Sequence, residues 1–82
     1  MKMYLELYAS LMHLLPPGKE RFRREIKVAD DAVVQDVIDA YKIPAESAHI
    51  VLVNGKFVCD ERDKHPLKAG DVLSIWPPVA GG

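Results

Sequence analysis

The chain is poor in the residues that most often carry chemistry. It holds one cysteine, one tryptophan, two phenylalanines and three tyrosines in 82 residues. A single cysteine excludes an intramolecular disulfide. Cys59 has no cysteine partner, and Asp60, Glu61 and Asp63 close by disfavour a thiolate, so it reads as an inert thiol. His13, His49 and His65 lack metal-ligand spacing. No Ser/His/Asp arrangement and no glycine-rich phosphate loop is present, so no metal, no stably bound cofactor and no catalytic machinery of its own are expected. The formal net charge is only -1, with acidic and basic residues interleaved, and the basic excess of a nucleic-acid binder is missing. Arg21, Arg23 and Arg24 are interrupted by Phe22 and followed by Glu25, so this cluster reads as a solvated strand edge rather than a phosphate patch. No apolar run reaches the length of a membrane span, and the first residues meet Glu6 too soon for a signal peptide. A soluble, cytoplasmic protein without nucleic-acid or membrane partners is the expectation.

The hydrophobic patterning is clear. Met3, Leu5 and Leu7 alternate with Lys2, Tyr4, Glu6 and Tyr8, which predicts a strand over residues 2–8 with one buried face. Residues 9–15 suit a short helical turn or two, closed by Pro16-Pro17-Gly18. Phe22, Ile26 and Val28 share parity and predict a second strand over 22–28, antiparallel to the first. From Asp31 the period changes: Val33, Val34, Val37, Ile38 and Tyr41 form one helical stripe. Asp30 or Asp31 is placed to cap it, and Pro44 closes it. The run from His49 to Val53 predicts a central strand buried on both faces or nearly so. Asn54-Gly55 is a strong hairpin signal, with residues 56–58 as a short return strand. After a polar loop through Pro66, Gly70-Asp71 turns the chain into a last strand over 72–76. The order strand, strand, helix, strand, short strand, strand predicts an α+β fold: a mixed four- to five-stranded sheet packed on one main helix, the β-grasp (ubiquitin-like) architecture. The expected organisation is one domain over residues 1–76 and an extended, flexible tail over 77–82.

That tail, Pro77-Pro78-Val79-Ala80-Gly81-Gly82, is the most informative stretch. Two prolines lack amide donors and hold the chain near polyproline geometry, so it leaves the sheet with a stiff root. Two glycines then end it without side chains, which lets backbone enter a narrow site on another protein. Fully extended, six residues reach roughly 20 Å. The chemistry this suits is activation of the Gly82 carboxylate. An anionic carboxylate is a poor electrophile and must become a mixed anhydride, such as an acyl-adenylate, before a sulfur nucleophile attacks it.

His65-Pro66-Leu67, Gly70-Asp71 and the tail, together with Tyr8-Ala9-Ser10-Leu11, give the chain its resemblance to a known family over its whole length. It resembles the MoaD/ThiS ubiquitin-like sulfur carriers, and within them the small subunit of molybdopterin synthase. The resemblance implies that an adenylating, ubiquitin-activating-type enzyme uses ATP on Gly82, and that a sulfur donor such as a cysteine desulfurase or rhodanese completes a thiocarboxylate. The loaded tail, Pro77, Pro78, Val79, Ala80 and Gly81 leading to Gly82, would then insert into the synthase large subunit, which holds the catalytic side chains. The segment over 9–21 and the Pro-Pro root favour this branch over the thiazole branch, whose members usually lack both. Where this chain has Val33, the family often has a capping Thr, and Asp31 is expected to cap instead with a slightly earlier helix start. Strand parity places Tyr8 and Trp76 on the outer face, and the family carries an apolar partner-binding patch at Tyr8, Phe57 and Trp76. The bland alternative is that Phe57 and Trp76 pack in the core. Sulfur delivery to thiazole, transfer RNA or cysteine synthesis, a ubiquitin-like modifier, and an interaction domain with an unreactive tail remain open at this point.

Overall fold

The computed structural model describes residues 1–58 and 61–78. Five strands form one mixed sheet: β1 (Lys2–Leu7), β2 (Arg23–Lys27), β3 (Ile50–Val53), β4 (Lys56–Phe57) and β5 (Val72–Trp76), in the order β2-β1-β5-β3-β4. One α-helix, α1 (Val34–Ala40), follows β2, and short 3₁₀ segments occupy Ala9–Leu14 and Ala45–Ser47. This is the β-grasp, ubiquitin-like fold. β1 runs parallel to β5, and the other neighbours are antiparallel.

Period-two patterning does what it predicts in β1, where Met3, Leu5 and Leu7 are wholly buried. They meet Leu73 and Ile75 of β5, Val51 of β3 and the Val34, Val37 and Ile38 stripe of α1 in one apolar core. Each such side chain contributes about 1.5–3 kcal/mol on leaving water. Because α1 covers one side of the sheet, the other side faces outward, and Tyr4, Glu6, Leu52, Phe57, Val72, Ser74 and Trp76 lie on it by register. The Asn54-Gly55 turn has φ of 52° and 82°, the left-handed pair that a two-residue hairpin of matching twist requires. No helix among the described residues is long and apolar enough to cross a membrane.

Four expectations are corrected. The centre of the sheet is β5, not β3. Ile50 and Leu52 on the outward side of β3 are only half-buried, since among the described residues no second layer covers that face. The second strand begins at Arg23: the chain bends at Phe22 and turns its ring off the inner parity set, to 37% exposure. The arginines are not merely solvated. Arg24 donates to the carbonyls of Pro16 (2.7 Å), Gly18 (3.2 Å) and Glu20, which staples the 16–20 loop, and a Cβ at Gly18 would collide with that guanidinium.

The fourth correction concerns the ends of α1. Its N-cap is Val33, at φ -112° and ψ 170°, and neither Asp30 nor Asp31 caps it. Asp30 instead reaches the Met1 ammonium at 3.2 Å. The first helical donors are satisfied by backbone from the loop before β5: Val34 N–H donates to His65 O (3.0 Å) and Gln35 N–H to Arg62 O (2.9 Å). Asp36 accepts from Val33 N–H at 2.9 Å, the one half of a capping box that a valine permits. At the other end, Ile43 N–H bonds Ile38 O and Lys42 N–H bonds Asp39 O. This is a Schellman motif with Lys42, at φ 56°, in the left-handed position glycine usually fills.

Candidate functional site

The central strand delivers the tail. β5 lies between β1 and β3, so its last residue emerges from the most constrained part of the sheet. Tyr8 N–H donates to Ile75 O (3.3 Å) and His49 N–H to Trp76 O (3.2 Å). The ladder stops there because Pro77 and Pro78 have no N–H to extend it. Val79, Ala80, Gly81 and Gly82, and likewise Cys59, lie outside the described residues.

Three aromatic rings flank the root. Tyr8 stacks on Trp76 with centroids 3.9 Å apart and planes 4° from parallel, and Phe22 lies against Tyr8 at 5.0 Å and 29°. Trp76 is 40% exposed and Phe57 69% exposed, so neither is a core residue. Tyr8 and Trp76 are therefore brought together. Phe57 shares their face but stands opposite Leu52, which itself pairs with Ser74, two residues before Trp76. Phe22 was not among the expected patch residues. Period two assigned it inward, and only the bend before β2 turns it to Tyr8.

A carboxylate sits beside this stack. Glu6 accepts from Tyr8 Oη (2.8 Å), Ser74 Oγ (2.8 Å) and Arg23 Nε (2.8 Å), and Arg23 Nη2 lies 2.8 Å from the same oxygen, Oε2. Burial alone would raise the Glu6 pKa, yet the Tyr8 and Ser74 hydroxyls and the Arg23 guanidinium together hold it below the usual carboxylate value. The Tyr8 hydroxyl moves up, through burial and its bond to Glu6. This network buries Ser74 to 8% exposure on the outward face. Arg23 also lies over the Tyr4 ring at 5.2 Å, and Arg21 over Phe22 at 5.3 Å. Sequence parity placed Glu6 outward but offered no signal of Arg23 and Ser74 as its donors, because they come from two strands remote in sequence.

Among the described residues no cluster of His, Cys, Asp and Glu is arranged to hold a metal ion. The loop carrying His65-Pro66-Leu67 serves the fold: its carbonyls cap α1, and Leu67, 4% exposed, enters the core. Asp71 organises the start of β5 by accepting from Lys68 N–H (2.8 Å) and Asn54 Nδ2 (2.9 Å).

The ThiS family model matches residues 6–82. The chain belongs to the ThiS family. It thereby joins the ubiquitin-like sulfur carriers. Among solved structures it is similar to SAMP1 from Haloferax volcanii, named as a small archaeal modifier protein, with TM-score 0.69 and 28% identity over 100% of both chains. A putative molybdopterin converting factor, subunit 1, from Pyrococcus furiosus has TM-score 0.67 and 24% identity over 95% of this chain and 98% of that one. A complex of subunits 1 and 2 of molybdopterin-converting factor from Helicobacter pylori 26695 contains a chain with TM-score 0.59 and 23% identity, 100% of each covered. At those identities the last two likenesses establish the shared fold. Among curated proteins none matches. For a ThiS-family member the described arrangement is coherent: a mixed sheet whose central strand ends in an aromatic face at the Pro77-Pro78 root.

Proposed function

We propose that this chain is a sulfur carrier for molybdopterin synthesis, acting as the small subunit of molybdopterin synthase with Gly82 as its working residue. The carrying observation is the tail root. A central strand ends at Trp76 in a stacked aromatic pair, and a Pro-Pro segment follows at once, so a partner gripping the outer face receives the terminus in a defined place. The Gly82 carboxylate attacks the α-phosphate of ATP in the activating enzyme and pyrophosphate leaves. A sulfur nucleophile then takes the carbonyl carbon, and AMP departs with one former carboxylate oxygen. A cysteine desulfurase or rhodanese persulfide is that nucleophile. A second thiol then cleaves the resulting acyl disulfide, supplying two electrons and leaving the thiocarboxylate and a disulfide on the donor side. In the synthase, the large subunit contributes the catalytic side chains, and Val79, Ala80 and Gly81 thread the thiocarboxylate to a cyclic pterin acceptor. The Helicobacter complex of two converting-factor subunits supports a large-subunit partner by analogy, as do the residue 9–21 segment and the prolines.

The 28% identity to SAMP1 favours one second reading, a protein modifier whose Gly82 forms an isopeptide bond to lysine. Intact mass spectrometry after incubation with the cognate activating enzyme, ATP and sulfur donor separates them. The carrier gains the mass of sulfur minus oxygen at Gly82, and the loaded chain transfers it only when the large subunit and pterin acceptor are added. A branched Gly-Gly remnant on other proteins without any thiocarboxylate would favour the modifier. An unchanged mass together with no branched remnant on other proteins would refute both.

A further inference from the structure

We infer that Glu6 is a positioning residue for the docking face at the tail root, acting through Tyr8 on Trp76. The inference rests on the carrier reading above. A sheet does not need a carboxylate here, since replacing a partly buried ion pair by apolar residues of similar volume is often neutral for stability. What Glu6 provides is geometry. One oxygen takes the hydroxyls of Tyr8 and Ser74, and the other takes Arg23, so a single side chain ties β1 to β5 and to β2.

Tyr8 needs that tie. It lies just past the end of β1, its N–H bond to Ile75 is long at 3.3 Å, and Ala9 after it turns away at φ 53°. Its hydroxyl is held by Glu6 while its ring is held between Phe22 and Trp76. Trp76 in turn is the last residue before two prolines that donate no hydrogen bond to the sheet. A line of contacts therefore runs from Glu6 to Tyr8, to Trp76, to the departing tail. Glu6 belongs to the face that holds the root and not to the terminus, so its loss should impair docking and leave the chemical step alone.

The test is ATP–pyrophosphate exchange by the cognate activating enzyme, with wild type, Glu6→Leu and Glu6→Gln as carriers. Trp76 is the sole tryptophan, so near-ultraviolet circular dichroism and fluorescence read the Tyr8–Trp76 stack directly. Glu6→Leu should raise KM for the carrier about tenfold, the size of one positioning interaction, with kcat within about twofold. It should also lose the stacked-ring signal while far-ultraviolet spectra stay native. Glu6→Gln keeps an acceptor for the two hydroxyls but not the ion pair, and should fall between the two. A retained stack signal in Glu6→Leu overturns the proposal, as does a lost signal with unchanged KM, or a fall in kcat alone. If wild type itself supports no exchange, the carrier reading fails and this inference with it; failure confined to the variants' behaviour overturns the inference alone.

Discussion

Replacing Phe57 by alanine separates docking from packing, because its exposure sets the two costs far apart. Phe57 is 69% exposed on a two-residue strand. Taking a ring of this kind as presenting on the order of 200 Å², only about 60 Å² is covered in the free chain. At about 25 cal/mol per Å² the loss in folding stability is at most ~1.5 kcal/mol, an upper bound because the unfolded chain also covers part of its surface. Against a total of ~4–12 kcal/mol for a domain of this length the variant remains folded. Its Tm should fall by no more than about 6–12 °C. The uncovered ~140 Å² is what a partner can bury, up to ~3.5 kcal/mol. A residue at the centre of an interface typically costs at least ~2 kcal/mol on truncation, about 30-fold in Kd. Thermal melts give the first quantity, and titration calorimetry against the activating enzyme and the large subunit gives the second. A Kd unchanged for both partners would refute the assignment of Phe57 to the docking face. A Tm drop well beyond 15 °C would refute the area reasoning.

Three further outcomes follow from the same geometry. Lys42→Gly should stabilise by about 0.5–1 kcal/mol, read as a higher denaturant midpoint at unchanged m, because Lys42 holds a left-handed φ of 56° that costs a side-chain-bearing residue energy. Val33→Thr should change stability by less than about 0.5 kcal/mol, not the ~1 kcal/mol a new N-cap usually adds; Val34 and Gln35 already donate to His65 and Arg62, and Asp36 N–H to Val33 O. In acid, the Glu6 carboxylate is held below its ordinary 4.5 in the fold, so its contribution is present above that value and is lost as pH falls through the lowered one. Denaturant midpoints of wild type and Glu6→Gln, measured from neutral pH downward, should therefore converge below pH 4.5; a constant gap would exclude the linkage.

Much of the architecture was legible along the chain. The alternation of Met3, Leu5 and Leu7, the stripe of Val34, Val37 and Ile38, and the Asn54-Gly55 turn each report a local period or a local φ requirement. Residues 72–76 also become a strand as their pattern indicates. The aromatic stack was partly legible: parity put Tyr8 and Trp76 outward, and their rings meet. Phe22 was misassigned because a parity rule holds only while the ladder does, and the chain bends one residue before β2 begins.

By itself, then, the sequence determined the element types, the apolar core and the bare Pro-Pro to Gly-Gly terminus, since all of these follow from side chains and backbone preferences a few residues apart. Tertiary structure decided which strand lies at the centre, where α1 starts, and what surrounds Glu6. β5 takes the middle because it pairs with both β1 and β3, and α1 starts after Val33 because loop carbonyls 31 and 27 residues later, those of His65 and Arg62, accept its first donors from Val34 and Gln35. Glu6 acquires its role from Arg23 and from Ser74, 68 residues away. Hydrogen bonds between distant segments depend on the path of the whole chain, which no local period encodes.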